Sequence, residues 1–129
     1  MPPTSAAFPS LRTFLDALPA GELLRVPGLA ELDYVKTALV LDLDARKRTP
    51  VVLFEPPAGG VPVVTNIFAD RDRIARLAGT SRSGFNAVWS HAVEHLIEGA
   101  VVAAGQCQEV VVAGAEVDCA ALPITRHFE

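Results

Sequence analysis

The sequence is poor in cysteine and in aromatic residues, and each shortage argues against a class of protein. Its two cysteines, Cys107 and Cys119, form neither a disulfide framework nor the spacing of a zinc site. A reducing cytoplasm is therefore the expected compartment. Aromatic residues make up 6% of the chain, with one Trp and one Tyr, which argues against a protein that binds single-stranded nucleic acid by base stacking.

Long apolar runs and a strong charge imbalance are also missing. No stretch reaches the about 18–20 consecutive apolar residues that a membrane span requires. The first residues lack the basic and apolar regions of a secretory signal. Charged residues account for 20% of the chain and the formal net charge is −4, which excludes a disordered acidic tail and a basic arm for nucleic acid. We therefore expect neither a membrane span nor a nucleic-acid partner.

What the chain has in excess is apolar residues, which make up 50% of its 129 residues. This length predicts a single domain. A domain this small leaves a large share of its atoms at the surface. Either the core is unusually apolar, or part of the apolar surface faces a partner.

Hydrophobic spacing predicts short strands interspersed with about four helices. The predicted helices cover residues 11–18, 32–43, 71–78 and 86–98, and Ser10 and Asp70 are expected to cap the first and third. The predicted strands cover residues 22–26, 51–54, 61–66 and 109–112, with a turn at Gly59-Gly60. This order has no strict βαβ rhythm and predicts an α+β domain of mixed α/β layers, in which a small sheet packs against the helices.

All four predicted helices carry apolar positions at helical spacing, and those of the first are Leu11, Phe14, Leu15 and Leu18. Ile74 and Leu77 are expected to point inward from helix 71–78. The run from Thr37 to Asp44 is also compatible with a strand. The apolar residues of helix 32–43 are Leu32, Val35, Leu39 and Leu41, and those of the more clearly patterned helix 86–98 are Phe85, Trp89, Ala92, Val93, Leu96 and Ile97.

The segment His91-Ala-Val-Glu94-His95 matches the H-x-x-E-H pattern of inverted zinc metallopeptidases. Two histidines four residues apart on a helix can bind one zinc ion, and Glu94 can serve as a general base. The alternative is that these residues and Glu98 form the solvated face of an amphipathic helix. No other cluster of histidine or cysteine supplies the cleft that a catalytic zinc needs, which favours the solvated face.

A second cluster consists of basic residues near the start of helix 71–78. Such a cluster can hold a phosphate. Asp70 and Asp72 lie among the basic residues and favour a solvated face of mixed charge instead. The arginines of this cluster are Arg71, Arg73, Arg76 and Arg82.

The remaining chemistry-bearing residues form no site. The glycines make neither a phosphate-binding loop nor a dinucleotide fingerprint. Cys107 and Cys119 have no neighbours in the sequence that would activate a thiol, and we expect both to be packing residues. The residues alone therefore predict no catalytic, cofactor-binding or metal site.

Three segments, in order along the chain, resemble the UbiD-type decarboxylases. Residues 10–26 are similar to the family's opening helix and strand. Residues 50–68, PVVLFEPPAGGVPVVTNIF, resemble its strand–loop–strand signature, with L-F-E ending the first strand and N-(L/I)-F closing the second. Residues 106–124 resemble the segment that leads to the family's L-P-I turn, here Leu122-Pro123-Ile124. The resemblance is weakest over residues 80–100, where this chain has the shorter connection.

The resemblance implies an enzyme that reversibly decarboxylates aromatic or α,β-unsaturated carboxylic acids. The family uses prenylated FMN, with Mn²⁺ and K⁺ at its phosphate, and the protein binds and orients this cofactor. The family's Glu-Arg-Glu catalytic set and its flavin and metal ligands lie in a split β-barrel that follows the L-P-I turn. No residue here matches those positions, Glu129 included, so the resemblance assigns no catalytic, cofactor-binding or metal residue to this chain.

The resemblance further implies that residues 1–129 are an N-terminal domain that is inactive alone. Its partner is then the cofactor-binding domain or subunit of the same decarboxylase, and the complete enzyme is expected to be an oligomer. A truncated sequence, a split gene and a repurposed domain all fit. The alternative is a non-catalytic assembly or binding subunit. With a missing barrel, part of the apolar excess is interface, and the candidate strips are Gly99–Gly105 and Ala120–Ile124.

Overall fold

A computed structural model describes residues 10–29, 33–99, 101, 103, 105 and 110–127. In these residues four α-helices and three strands form one small domain, so the predicted α+β fold is confirmed. Two 3₁₀ turns follow, at Gly114–Glu116 and Cys119–Ala121. The elements are α1 (Leu11–Asp16), β1 (Leu23–Pro27), α2 (Val35–Ala45), β2 (Val51–Glu55), β3 (Val63–Thr65), α3 (Arg71–Leu77) and α4 (Phe85–Glu94).

The three strands form one sheet in the order β1-β2-β3. β1 and β2 are parallel, so the chain must cross over between them, and α2 makes that crossing. β2 and β3 are antiparallel and are joined by the predicted turn. Gly59 has a φ of +89°, a conformation that favours glycine, and a Cβ on Gly60 would lie 2.7 Å from Cγ of Pro56. Gly59 is thus favoured by the backbone conformation of the turn, and Gly60 by the close approach of the Pro56 ring.

The middle strand β2 forms the centre of the core, as its continuous apolar run predicts. Residues 51–54 are all buried. Alternate side chains point to opposite faces of a sheet. Val52 and Phe54 form one cluster with Leu43 of α2, whereas Leu53 lines a cavity on the other face together with Leu15 of α1. Helices therefore lie on both faces of β2.

Two helix starts follow the predicted capping chemistry. Oγ of Ser10 accepts a hydrogen bond from the backbone N–H of Thr13 at 3.1 Å. Oδ1 of Asp70 accepts one from the N–H of Arg73 at 2.8 Å. This backbone hydrogen bond to the charged carboxylate is the largest cause of a lowered pKa of Asp70, although desolvation acts against it. Gly79, with a φ of +70°, follows α3 as the expected stop.

The predicted apolar face of the second helix is partly wrong. The helix begins at Val35, and Leu32 lies outside the described residues. Leu41 is 63% exposed and Val35 43%, whereas Lys36 and Leu43 are buried. The residues that meet the sheet are spaced by three and four, at positions 36, 39 and 43. Position 41 therefore lies on the far side of the helix, even though it is occupied by leucine.

The C-terminal part also differs from the prediction. α4 ends at Glu94 rather than near residue 98, and none of its residues is buried. Val110–Val112 is exposed and does not form the predicted strand, because no described strand lies beside it to complete a ladder. Glu109 lies outside the described residues. In α3, Ile74 and Leu77 are half-buried as expected, but the fully buried residues are Arg73 and Ala75.

Candidate functional site

The structure divides the predicted arginine cluster into two pairs with different roles. Arg73 is 2% exposed, and its guanidinium donates to Oε2 of Glu22 at 3.1 Å. It also donates to the backbone carbonyls of Thr49, Asn66 and Ile67 at 2.7, 3.2 and 3.2 Å. This side chain thus ties α3 to the residue before β1 and to the ends of β2 and β3.

Arg76 completes the same network from one turn further along α3. Its Nη2 lies 2.7 and 2.6 Å from the two carboxylate oxygens of Glu22. Glu22 therefore forms ion pairs with both guanidinium groups at the end of the sheet. Arg73 and Arg76 are taken up in a structural ion-pair network, which contradicts the idea that all four arginines share one phosphate.

The other two arginines of the cluster line a cavity between α3 and α4. The cavity has a volume of about 390 Å³. Arg71 and Arg82 supply its charge, Asn86 supplies an amide, and Ile74 and Phe85 are its apolar lining. Of the four clustered arginines, only this pair is available to a ligand.

The two histidines of the H-x-x-E-H segment lie at the exposed end of α4. Their rings stack with centroids 4.0 Å apart and planes at 26°. Nδ1 of His95 is 2.9 Å from the backbone carbonyl of His91. Stacked rings direct their nitrogens side by side rather than toward one point, so the arrangement matches the solvated face rather than a preformed zinc site. A zinc titration with His91→Ala as the control tests the alternative.

The described residues bring together no group of three His, Cys, Asp or Glu side chains that could hold a metal ion. The family resemblance places its manganese ligands in a different domain, and no reaction step is assigned to a metal on the described residues. Cys119 is exposed rather than packed, contrary to expectation, and Cys107 lies outside the described residues.

A buried lysine was missed by the sequence analysis. The ammonium of Lys36 lies 5.5 Å from the centroid of the Phe54 ring, and the residue is 5% exposed. Cavities of about 170 and 120 Å³ adjoin it, and Ala120–Pro123 line part of the first while Thr125 and His127 line part of the second. The spacing of Lys36 from Leu39 and Leu43 was the available signal, because the three share one helix face.

The end of the described chain is held against the start of α2. Asp33 and Arg126 form a β-bridge and an ion pair at 3.5 Å. Oγ1 of Thr37 is 2.6 Å from Nδ1 of His127. Between these contacts and the 3₁₀ turn, Leu122 and Ile124 are 56% and 67% exposed. The predicted strip Ala120–Ile124 thus presents apolar side chains outward.

The largest apolar side chains of the α4 region also face outward. Trp89 and Val93 are 63% and 58% exposed, and Leu96 and Ile97 just beyond the helix are 85% and 96% exposed. We call these four residues the α4 apolar surface. Phe85 stacks on Trp89 with ring centroids 6.1 Å apart. In the predicted strip Gly99–Gly105, Val101 is fully exposed, while positions 100, 102 and 104 lie outside the described residues.

Comparison with known proteins relates this chain to one enzyme family. In the part of the chain that the structure describes, no helix is long and apolar enough to cross a membrane. No solved structure matches the chain. Residues 19–92 match the family model of the 3-octaprenyl-4-hydroxybenzoate carboxy-lyase N-terminal domain. This region spans β1 to most of α4 and includes the buried Arg73–Glu22 pair. Because the match covers more than half of the 129 residues, the chain belongs to the UbiD family, with an N-terminal domain of that carboxy-lyase type.

Proposed function

We propose that this chain forms the N-terminal part of a cytoplasmic UbiD-type carboxy-lyase that reversibly decarboxylates aromatic or α,β-unsaturated carboxylic acids with prenylated FMN. Its own task is to pack against the cofactor-binding domain of the same enzyme. It is inactive alone, and the complete enzyme is an oligomer. The observation that carries the proposal is α4, an amphipathic helix that buries none of its residues.

The α4 apolar surface supports the proposal because exposed apolar side chains are unfavourable unless a partner covers them. A contiguous group of large exposed apolar residues on a small domain marks an interaction site. The largest side chain of this surface is that of Trp89, and tryptophan often contributes much of the binding energy of an interface. Leu122 and Ile124 form a second outward apolar strip, and we assign it to the same partner.

The prenylated flavin and its ions belong, in this proposal, to the separate domain, because the family resemblance places their ligands in the barrel that follows the L-P-I turn. The contribution of this chain is structural. Its apolar surface removes water from the boundary with the partner, and the rigid Arg73–Glu22 network keeps α3 fixed relative to the sheet. Family membership supports the reaction class, and the outward apolar surface supports the docking role.

The proposal is tested by mixing the purified chain with the separately produced cofactor-binding domain of a UbiD-type enzyme. We expect a stable complex in size-exclusion chromatography, and release of carbon dioxide only from the complex loaded with prenylated FMN and Mn²⁺. The double variant Trp89→Ser/Val93→Ser should lose the complex. Leu41→Ser is the matched control, because Leu41 is as exposed as Trp89 but lies on α2.

Three results would contradict parts of this proposal. Carbon dioxide release or tight flavin binding by the chain alone would disprove that it is inactive alone. Equal loss of the complex in Leu41→Ser would remove the role of α4. A complex that forms without any effect on turnover would support the alternative of a non-catalytic assembly subunit.

A further inference from the structure

Arg71 and Arg82 differ from the other two arginines of their cluster in having no partner among the residues that the structure describes. Within the described part of the chain, neither guanidinium makes a hydrogen bond or an ion pair. Arg73 and Arg76, in contrast, are both engaged by Glu22. The fold therefore leaves two positive charges free at the junction of α3 and α4.

Arg71 and Arg82 line the same cavity of about 390 Å³. This volume lies within the about 300–1,000 Å³ that is usual for small-molecule sites. None of the described residues that line the cavity carries a carboxylate. The nearest acidic residue before α3, Asp70, uses one of its oxygens to cap the helix. Positive charge in this cavity is thus not compensated by its own walls.

The rest of the lining is suited to a flat apolar body. Ile74 and Phe85 are half-buried and offer an aliphatic and an aromatic surface. Asn86 adds an amide that can donate or accept a hydrogen bond. The planar, forked guanidinium group of arginine matches the oxygens of a carboxylate or phosphate and also stacks on flat rings. A few polar groups above an apolar floor are typical of a small-molecule site.

We infer that the cavity between α3 and α4 binds a small molecule that carries a carboxylate or phosphate group on a flat apolar body. Arg71 and Arg82 bind its anionic group, and Phe85 and Ile74 contact its apolar part. This inference goes beyond the proposed function and does not rest on it, because it uses only residues of this chain.

The inference is tested by following the backbone amide signals of the ¹⁵N-labelled 129-residue chain in NMR titrations. The probes are benzoate, phenyl phosphate, inorganic phosphate and benzyl alcohol. We expect benzoate or phenyl phosphate to shift the signals of Ile74, Phe85 and Asn86. The probe that binds more tightly identifies the anionic group that the cavity prefers. Inorganic phosphate, which lacks the apolar body, and benzyl alcohol, which lacks the charge, should each bind at least about tenfold more weakly.

Variants of the two arginines connect the signal shifts to the cavity. Arg71→Gln and Arg82→Gln should each weaken binding of the tighter probe by about tenfold, because each removes a charge-assisted contact. Both residues are exposed, so the amide spectrum away from the cavity should be unchanged. Arg48→Gln is the control, since Arg48 is an exposed arginine that does not line this cavity. This variant should bind the same probe with the affinity of the parent chain.

Each remaining outcome would overturn the inference. Absence of shifts at the cavity with both aryl probes at millimolar concentration would show that no such site exists. Equal affinity for inorganic phosphate and phenyl phosphate would show that the apolar lining contributes nothing. Unchanged affinity in the Arg71→Gln/Arg82→Gln double variant would place the binding elsewhere.

Discussion

The region from α1 to α3 and the region from α4 onward are both rich in apolar residues, but they place them differently. In the first, residues 51–54 of β2 are buried and Leu43 covers them from α2. In the second, α4 buries no residue, and Ile97 is 96% exposed. The comparison teaches that an apolar pattern indicates which side chains avoid water without indicating what will cover them.

The physical difference is the number of neighbours that each element has. β2 has a strand on each side and helices on both faces, so its apolar side chains are removed from water within the domain. α4 has no element that covers its apolar side in the described residues. The apolar excess of the composition is therefore divided between a core around β2 and an outward surface on α4 and the C-terminal strip.

The largest expected effect comes from truncating the aromatic side chain at the centre of the core. Phe54→Ala should lower the free energy of unfolding by about 3–5 kcal/mol, because it leaves a cavity between β2 and α2. Trp89→Ala removes a larger side chain from α4 and should change stability by no more than about 0.5 kcal/mol. Urea unfolding measures both. Similar losses in the two variants would break the distinction between the regions.

The buried ion-pair network gives the next largest effect. Arg73→Met should cost about 3 kcal/mol, because it leaves the carbonyls of Thr49, Asn66 and Ile67 without their donor and weakens the pairing of Glu22. Arg46→Met is the control, since Arg46 forms an exposed pair with Asp42 on α2 and should contribute less than about 1 kcal/mol. Denaturant unfolding of both variants checks the difference, and equal costs would refute the role of burial.

The cap of α3 gives a smaller, pH-dependent effect. Asp70→Ala should cost about 1 kcal/mol at neutral pH, because the N–H of Arg73 loses its acceptor. The pKa of Asp70 is lowered below its ordinary 3.8 in the folded state. Its charged form therefore stabilises the fold above that pH, and the contribution is lost as the pH falls through the lowered pKa.

Thermal unfolding between pH 7 and pH 2 measures this dependence. The difference in unfolding temperature between the parent chain and Asp70→Ala should become smaller below about pH 4. Asp70→Asn serves as the control, because it keeps an oxygen acceptor but cannot titrate. A difference in unfolding temperature that stays constant down to pH 2 would contradict stabilisation of α3 by the ionised carboxylate of Asp70.

The smallest expected effect on stability belongs to the α4 apolar surface. Trp89→Ser/Val93→Ser should leave the unfolding midpoint nearly unchanged, because both side chains are already exposed to water. The same variant should reduce the binding of a hydrophobic dye and the self-association of the isolated chain. Leu41→Ser, which removes a single exposed leucine from α2, should reduce dye binding less. Unchanged dye binding in the α4 variant would show that these residues form no joint apolar patch.

Local patterns were sufficient to predict much of the fold. The apolar run Val51–Phe54 predicted a strand buried on both faces, and Ser10 and Asp70 predicted the two helix caps. Gly59-Gly60 predicted the turn between β2 and β3. These features depend on residues within a few positions of each other, so their physical causes are present in the sequence itself. The family motifs around this turn have the same local character, and the family is confirmed.

The functional surfaces were decided by contacts between residues far apart in the chain. Four arginines within twelve positions of the sequence became two structural and two cavity-lining residues, because Glu22, 51 positions before Arg73, forms ion pairs with only one pair of them. Likewise, the packing of α2 on β2 buries Lys36 and exposes Leu41. The sequence by itself determined the three strands of the sheet, the two helix caps, the turn and the family. Only the tertiary structure decided which charges stay free and which apolar residues remain uncovered, because both depend on which distant groups the fold brings into contact.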